Sequence, residues 1–165
     1  MLPAWLAIAS VFLHLLAAAF WVGGMLFLGI VVVPALRGTP ERARMVERIG
    51  LLFERAGIGA LLLVLLTGLL NLWFRGVRSV EQLWETPVGR MGLLKLGLFL
   101  GMVGLSLWHN RVLGKRAVRL LQEAPEHLQT RQLWRWSSWV GRLVLVVSLV
   151  LVFLGVLLAR GVSLW

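Results

Sequence analysis

The stretch LPAWLAIASVFLHLLAAAFWVGGMLFLGIVVVPAL, Leu2–Leu36, contains a single ionisable side chain, His14. About twenty apolar residues cross a bilayer core as a helix. A backbone in lipid must satisfy its own hydrogen bonds, so this stretch reads as a membrane-spanning helix with a polar group held inside the bilayer. Three further stretches have the same character: Gly50–Phe74, Met91–Trp108 and Leu143–Ala159. The expected fold is all-α, a polytopic membrane protein built as a four-transmembrane-helix bundle.

Composition limits what else the chain can hold. With 165 residues, 59% of them hydrophobic, and a mean hydropathy of +0.88, four spans and their connections use the whole length, so residues 1–165 form one membrane domain. The N-terminus lacks a basic n-region and a small-residue cleavage site, and its apolar run exceeds a signal h-region, so the first span is expected to remain in the mature protein. Cysteine and aspartate are both absent, which excludes disulfides, thiolate metal sites and iron–sulfur clusters. All seven Glu fall in connections or at helix ends, which argues against a carboxylate-driven proton pump.

The net charge of +10 is distributed as topology and not as a nucleic-acid surface. Arg37, Arg42, Arg44, Arg48 and Arg55 occupy the first connection, and Arg111, Lys115, Arg116, Arg119, Arg131 and Arg135 the third. The second holds only Arg75, Arg78 and Arg90. The positive-inside rule puts the first and third connections in the cytoplasm and both the N-terminus and the C-terminus outside, in a prokaryotic cytoplasmic (inner) membrane. The basic loops also suit anionic lipid. Trp5, Trp73, Trp84 and Trp165 mark the outer boundary, and Trp108, Trp134, Trp136 and Trp139 the inner one.

Local signals refine the spans. Helix 1 is longer than the membrane requires and is expected to tilt, project or bend near Gly23 and Gly24, ending around Pro34. Thr39 and Pro40 suit the cap and first position of a short basic helix. A short surface helix is expected around Val80 to Trp84. The third connection, Arg111 to Trp136, mixes basic and aliphatic residues as an interfacial helix does, with Pro125 interrupting it.

Few side chains are equipped for chemistry. His14 shares a face with Ala18, Trp21 and Met25, and an intramembrane ionisable group marks a functional site by default. The alternative is a neutral His hydrogen-bonded to the next helix. Lys95, Met102 and His109 recur every seven residues on helix 3 with Met91 near the same line. Gly97, Gly101 and Gly104 fall opposite and suit close helix approach, including a homo-oligomer interface. At 1.5 Å per residue, His14 lies roughly 15 Å below the outer boundary, Lys95 roughly 8 Å, Met102 roughly 18 Å and His109 roughly 28 Å. His14 therefore meets Lys95 or Met102 more readily than His109. Thr67, Asn71 and Ser148 lie in the same outer half, giving an expected pocket of His14, Thr67, Asn71, Lys95 and Ser148. His109 reads as an interfacial His, His127 as solvated, and Arg142 as reaching the inner headgroups.

His14, Trp21, Gly23, Gly24, Phe27 and Pro34 in helix 1, with Lys95 and Asn110-Arg111 in helix 3, resemble the copper resistance protein D (CopD) domain family. That resemblance implies a four-helix membrane unit that handles copper, with a periplasmic copper-binding protein as partner. His14 would be an imidazole ligand, Met102 and Met25 soft thioether ligands for Cu(I), and His109 a further metal ligand. Lys95 would tune charge or gate access. A looser similarity to the HemJ-type protoporphyrinogen oxidases, resting on His14 and Lys95, implies haem b instead, with His14 axial, Met102 opposite, Lys95 pairing with a propionate, and a respiratory partner. A third class is a non-catalytic membrane assembly subunit whose polar pocket is structural.

Overall fold

The computed structural model describes residues 3–39, 41–114 and 128–162. Expectations for Pro40, Lys115, Pro125, His127 and Trp165 lie outside the described residues. Among the described residues four helices are long and apolar enough to cross a membrane, spanning Ala4–Ala35, Arg44–Phe74, Pro87–Val112 and Arg135–Ala159. We number the helices α1 (Ala4–Phe27), α2 (Arg42–Phe74), α3 (Val80–Glu85), α4 (Pro87–Trp108) and α5 (Leu128–Ala159).

The first span runs as unbroken α-helix through Gly23 and Gly24. It widens one turn later, into a π-helical segment at Leu28–Val32 followed by a last turn at Val33–Ala35. Pro34 has no N–H and its ring crowds the carbonyl four residues back. The chain relieves this by widening, with Val33 N–H donating to the Leu28 carbonyl. Gly24 serves a packing role instead: a Cβ there would collide with the Phe53 ring.

The basic segment after Thr39 is not a separate helix but the first turns of α2, since nothing between Arg42 and Gly50 interrupts helical hydrogen bonding. Thr39 does not cap it. Its hydroxyl donates back to the Leu36 carbonyl at 2.9 Å, and Glu41 is the N-cap. α3 forms where expected, with a reciprocal capping box between Ser79 and Gln82. α4 begins at Pro87, a turn before the apolar run, because Thr86 caps the Gly89 N–H at 3.0 Å and Pro87 suits the first turn. α4 then leads into a π-helical segment, His109–Gly114. α5 is helical from the first described residue there, Leu128, so the Trp136 region of the expected interfacial helix is the leading part of the fourth span.

The four spans pack as two pairs, α1 along α2 and α4 along α5, with sparser contact between the pairs. Lipid tails are as apolar as Leu, so close packing and interhelical hydrogen bonds hold such helices together. The α1–α2 pair shows this: Trp21 stacks on Phe53 with centroids 5.5 Å apart, and Gly57 leaves room for the Trp21 ring, which a Cβ would meet at 2.7 Å. Trp21, Leu61, Phe99, Met102 and Val144 form the buried core where the pairs meet. Trp5, Trp73, Trp84, Trp108, Trp136 and Trp139 are exposed, as boundary residues should be. Gly97, Gly101 and Gly104 face outward, and a Cβ at any of them meets nothing within 4 Å.

Candidate functional site

Between the two helix pairs lies a cavity of about 320 Å³, lined from α1, α2, α4 and α5. His14, Asn71, Lys95, Met102 and Ser148 all line it, together with Trp21 and Arg75. Most of the expected outer-half pocket is thus assembled around one space. Its walls are otherwise apolar, the usual constitution of a small-ligand site with a few placed polar groups.

His14 is held in a defined way. Its Nδ1 lies 2.9 Å from the Thr67 hydroxyl. The single proton of that hydroxyl is within reach of the Leu63 and Val64 carbonyls one turn back; with the proton donated there, Thr67 accepts from Nδ1–H. Nε2 then keeps its lone pair, and no described residue donates to it. Gly68 makes this seat possible, since an added Cβ would lie 3.3 Å from His14 Cε1. Ser10, 3% exposed, donates to the Thr67 carbonyl at 3.4 Å and ties α1 to α2 a turn above His14. Thr67 is therefore a support behind His14, buried at 6% exposure, and not a lining residue.

Ser148 has a comparable structural role. Its hydroxyl donates to the Val144 carbonyl at 2.8 Å and accepts from Trp21 Nε1 at 3.2 Å, joining α1 to α5 at the buried core. Met102 is 3% exposed yet contributes to the cavity wall. Met25 packs against the core from its edge and does not line the cavity.

Two groups in the cavity lack partners. The Asn71 Oδ1 atom is buried without a hydrogen-bond donor. Lys95 projects toward α5, where a Cβ on Gly155 would lie 3.2 Å from Nζ, and it has no acceptor among the described residues. Arg75, which sequence reasoning counted only as loop charge, donates from Nη1 to the Leu158 carbonyl at 2.9 Å and closes the same end of the cavity. Its position one residue after α2, a turn beyond Asn71, was the available signal.

His109 is elsewhere. Nε2 donates to the Ser137 carbonyl at 2.9 Å and also lies 3.0 Å from the Ser137 hydroxyl, while Nδ1 meets the Asn110 amide group at 3.0 Å. Both ring nitrogens are engaged, so His109 fastens the π-helical end of the third span to α5. It does not line the cavity. Arg142 lies with its guanidinium 5.2 Å from the Trp139 ring centroid. Among the described residues no group of three His, Cys, Asp or Glu side chains is arranged to hold a metal. Any metal held here therefore draws on thioether or other donors.

A family model described as "Copper resistance protein D" matches residues 43–158. The match takes in almost all of α2, all of α3 and α4, and α5 almost to its end. It leaves out α1, which supplies His14. A protein of Aquifex aeolicus (strain VF5) described as uncharacterized is 35% identical over 91% of this chain and 93% of its own length. Copper transport protein CutJ of Bacillus subtilis (strain 168) is 35% identical over 59% of this chain, and copper resistance protein D of Pseudomonas syringae pv. tomato is 29% identical over 84%. The aligned regions cover 18% and 45% of those two copper-named relatives. No solved structure matches the chain.

Proposed function

Because the chain belongs to the copper resistance protein D family, whose copper-named relatives make it a copper-related membrane protein, we propose that its cavity is a copper-handling site in the membrane. His14 Nε2 is the imidazole ligand and the Met102 thioether the soft partner, a donor pair suited to Cu(I). The observation that carries this reading is the His14–Thr67 hydrogen bond. Metal-binding histidines donate their second ring N–H to a neighbouring acceptor, which fixes tautomer and orientation. His14 Nδ1 has such a neighbour in Thr67, and with Nδ1–H donating to it Nε2 is left with a lone pair in a residue that lines the cavity.

The other residues have different parts. Thr67 and Ser10 orient the ring. Trp21 and Ser148 close the seam between α1 and α5. Lys95, a cation, is no ligand while protonated and tunes the charge that the ion meets. Met25 and His109 stand outside the cavity and take no part in the ligand set. The comparisons name copper and none names haem, so copper is favoured over the porphyrin reading. The site is placed in a prokaryotic inner membrane with both termini outside, which rests on the loop charges.

The test is a competition titration of detergent-purified protein with a chromogenic Cu(I) chelator. Wild type and His109→Gln should bind Cu(I) stoichiometrically. His14→Ala should lose it, and Met102→Leu should weaken it. Stoichiometric Cu(I) in His14→Ala would remove the site from α1 and overturn the reading.

A further inference from the structure

The cavity carries positive charge that a copper ion does not balance. Lys95 and Arg75 both line it, and among the described residues no Asp or Glu does. The Lys95 ammonium has no acceptor among the described residues, and an uncompensated cation is costly in a membrane interior. The buried Asn71 Oδ1, in a residue that lines the same cavity, lacks a donor. These unmet needs are complementary: an anion for Lys95 and Arg75, a hydroxyl for Asn71.

The shape of the cavity shows where such a group enters. Val11 and Leu15 on α1, and Val152 and Val156 on α5, line the cavity yet remain 44%, 61%, 44% and 52% exposed. The wall between α1 and α5 is therefore open toward the lipid-facing surface. The Trp21–Ser148 hydrogen bond closes the same seam deeper in the bundle.

We propose that this cavity binds a membrane lipid with a hydroxyl-bearing phosphate head. The phosphate lies between Lys95 Nζ and the unused donors of Arg75, the head hydroxyl donates to Asn71 Oδ1, and an acyl chain leaves through the α1–α5 seam along Leu15 and Val152. Charge-assisted bonds of this kind are the strong ones, and Arg presents five donors of which one is spent on Leu158. The lipid shares the cavity with the proposed copper site, and Lys95 acts on both, but the copper ligands His14 and Met102 do not hold the lipid and lipid retention is read on copper-free protein, so each is tested without the other.

The experiment is native mass spectrometry of copper-free protein released from micelles doped with phosphatidylglycerol, phosphatidylcholine or inorganic phosphate. Wild type should retain one phosphatidylglycerol. Arg44→Gln, which removes a distant basic charge, should retain it too. Lys95→Gln should lower its occupancy about tenfold or more, a hydrogen bond to a charged group being lost, and Lys95→Arg should restore it. Gly155→Leu, which fills the space beside Nζ without changing charge, should expel the lipid. Tryptophan fluorescence and thermal unfolding establish that each variant is folded. Equal retention by Lys95→Gln and wild type, equal retention of phosphatidylcholine, or uptake of inorganic phosphate in place of lipid would each overturn the proposal. Loss of Cu(I) binding in His14→Ala with lipid occupancy intact supports both assignments. Copper retained in His14→Ala with lipid lost in Lys95→Gln would sink the copper site alone.

Discussion

Thr67→Val is the most discriminating single change, because it removes the acceptor behind His14 while keeping nearly the same shape. The interhelical bond between His14 Nδ1 and the Thr67 hydroxyl at 2.9 Å is affected, and so are the local bonds from that hydroxyl to the Leu63 and Val64 carbonyls. An interhelical side-chain hydrogen bond in a membrane contributes about 0.6 kcal/mol on average, so the variant should lose well under ~2 kcal/mol of stability and remain folded. The effect on copper is larger. Removing the outer partner of a metal-binding group costs about 10- to 100-fold in affinity, which is about 1.4 to 2.8 kcal/mol. Cu(I) competition titrations should show that loss for Thr67→Val and near-wild-type affinity for Thr67→Ser, which keeps the acceptor oxygen. Detergent thermal melts should move little for either. The reasoning fails if Thr67→Val binds Cu(I) as tightly as wild type while His14→Ala does not bind it, since Thr67 would then have no part in presenting Nε2.

Two further outcomes are expected. The chain has no cysteine, so single introduced cysteines report topology cleanly: an impermeant thiol reagent added to whole cells should label Glu81→Cys and spare Arg44→Cys, and the reverse pattern would invert the bundle. Two glycines of α4 should respond oppositely to alanine. A Cβ at Gly89 would collide with the Gln82 carbonyl and approach Leu83 Cα to 2.6 Å, so Gly89→Ala should lower stability by about 1–3 kcal/mol. Gly97 has open space, so Gly97→Ala should be neutral or stabilising by up to ~1 kcal/mol in the same melts.

The spans were legible because the bilayer permits so few solutions: an apolar run of that length has to be helical, and its ends are marked by charges and Trp rings. Helix starts were less legible. α2, α4 and α5 all extend ahead of their apolar runs, and the start of α4 is decided by the Thr86 cap, which hydropathy does not register. The π-helical widening before Pro34 was missed for a related reason: the sequence shows where a proline interrupts the ladder but not how the backbone absorbs it. At the site, helical phase and depth brought His14, Asn71, Lys95, Met102 and Ser148 to one cavity. They did not reveal that Ser148 is committed to Trp21, that Thr67 stands behind His14 instead of facing the space, or that Arg75 folds over its end. Those are pairwise outcomes of how four helices rotate against one another, and a single helix wheel holds no information about its neighbour's rotation.

The connection between α2 and α4 makes the bundle mechanically uneven. The Ser79–Gln82 capping box, the Thr86 cap and the backbone-to-backbone approach at Gly89 lock that connection into a stiff bracket. The distance between the ends of α2 and α4 is thereby set by the chain itself, whatever occupies the space between them. On the opposite side α1 and α5 have no such bracket among the described residues, where their polar link is the bond from Trp21 to Ser148. A guest that swells the interior pushes against a fixed wall on one side and a hinged one on the other. The give is therefore directed sideways, into the plane of the bilayer, and not along the bundle axis.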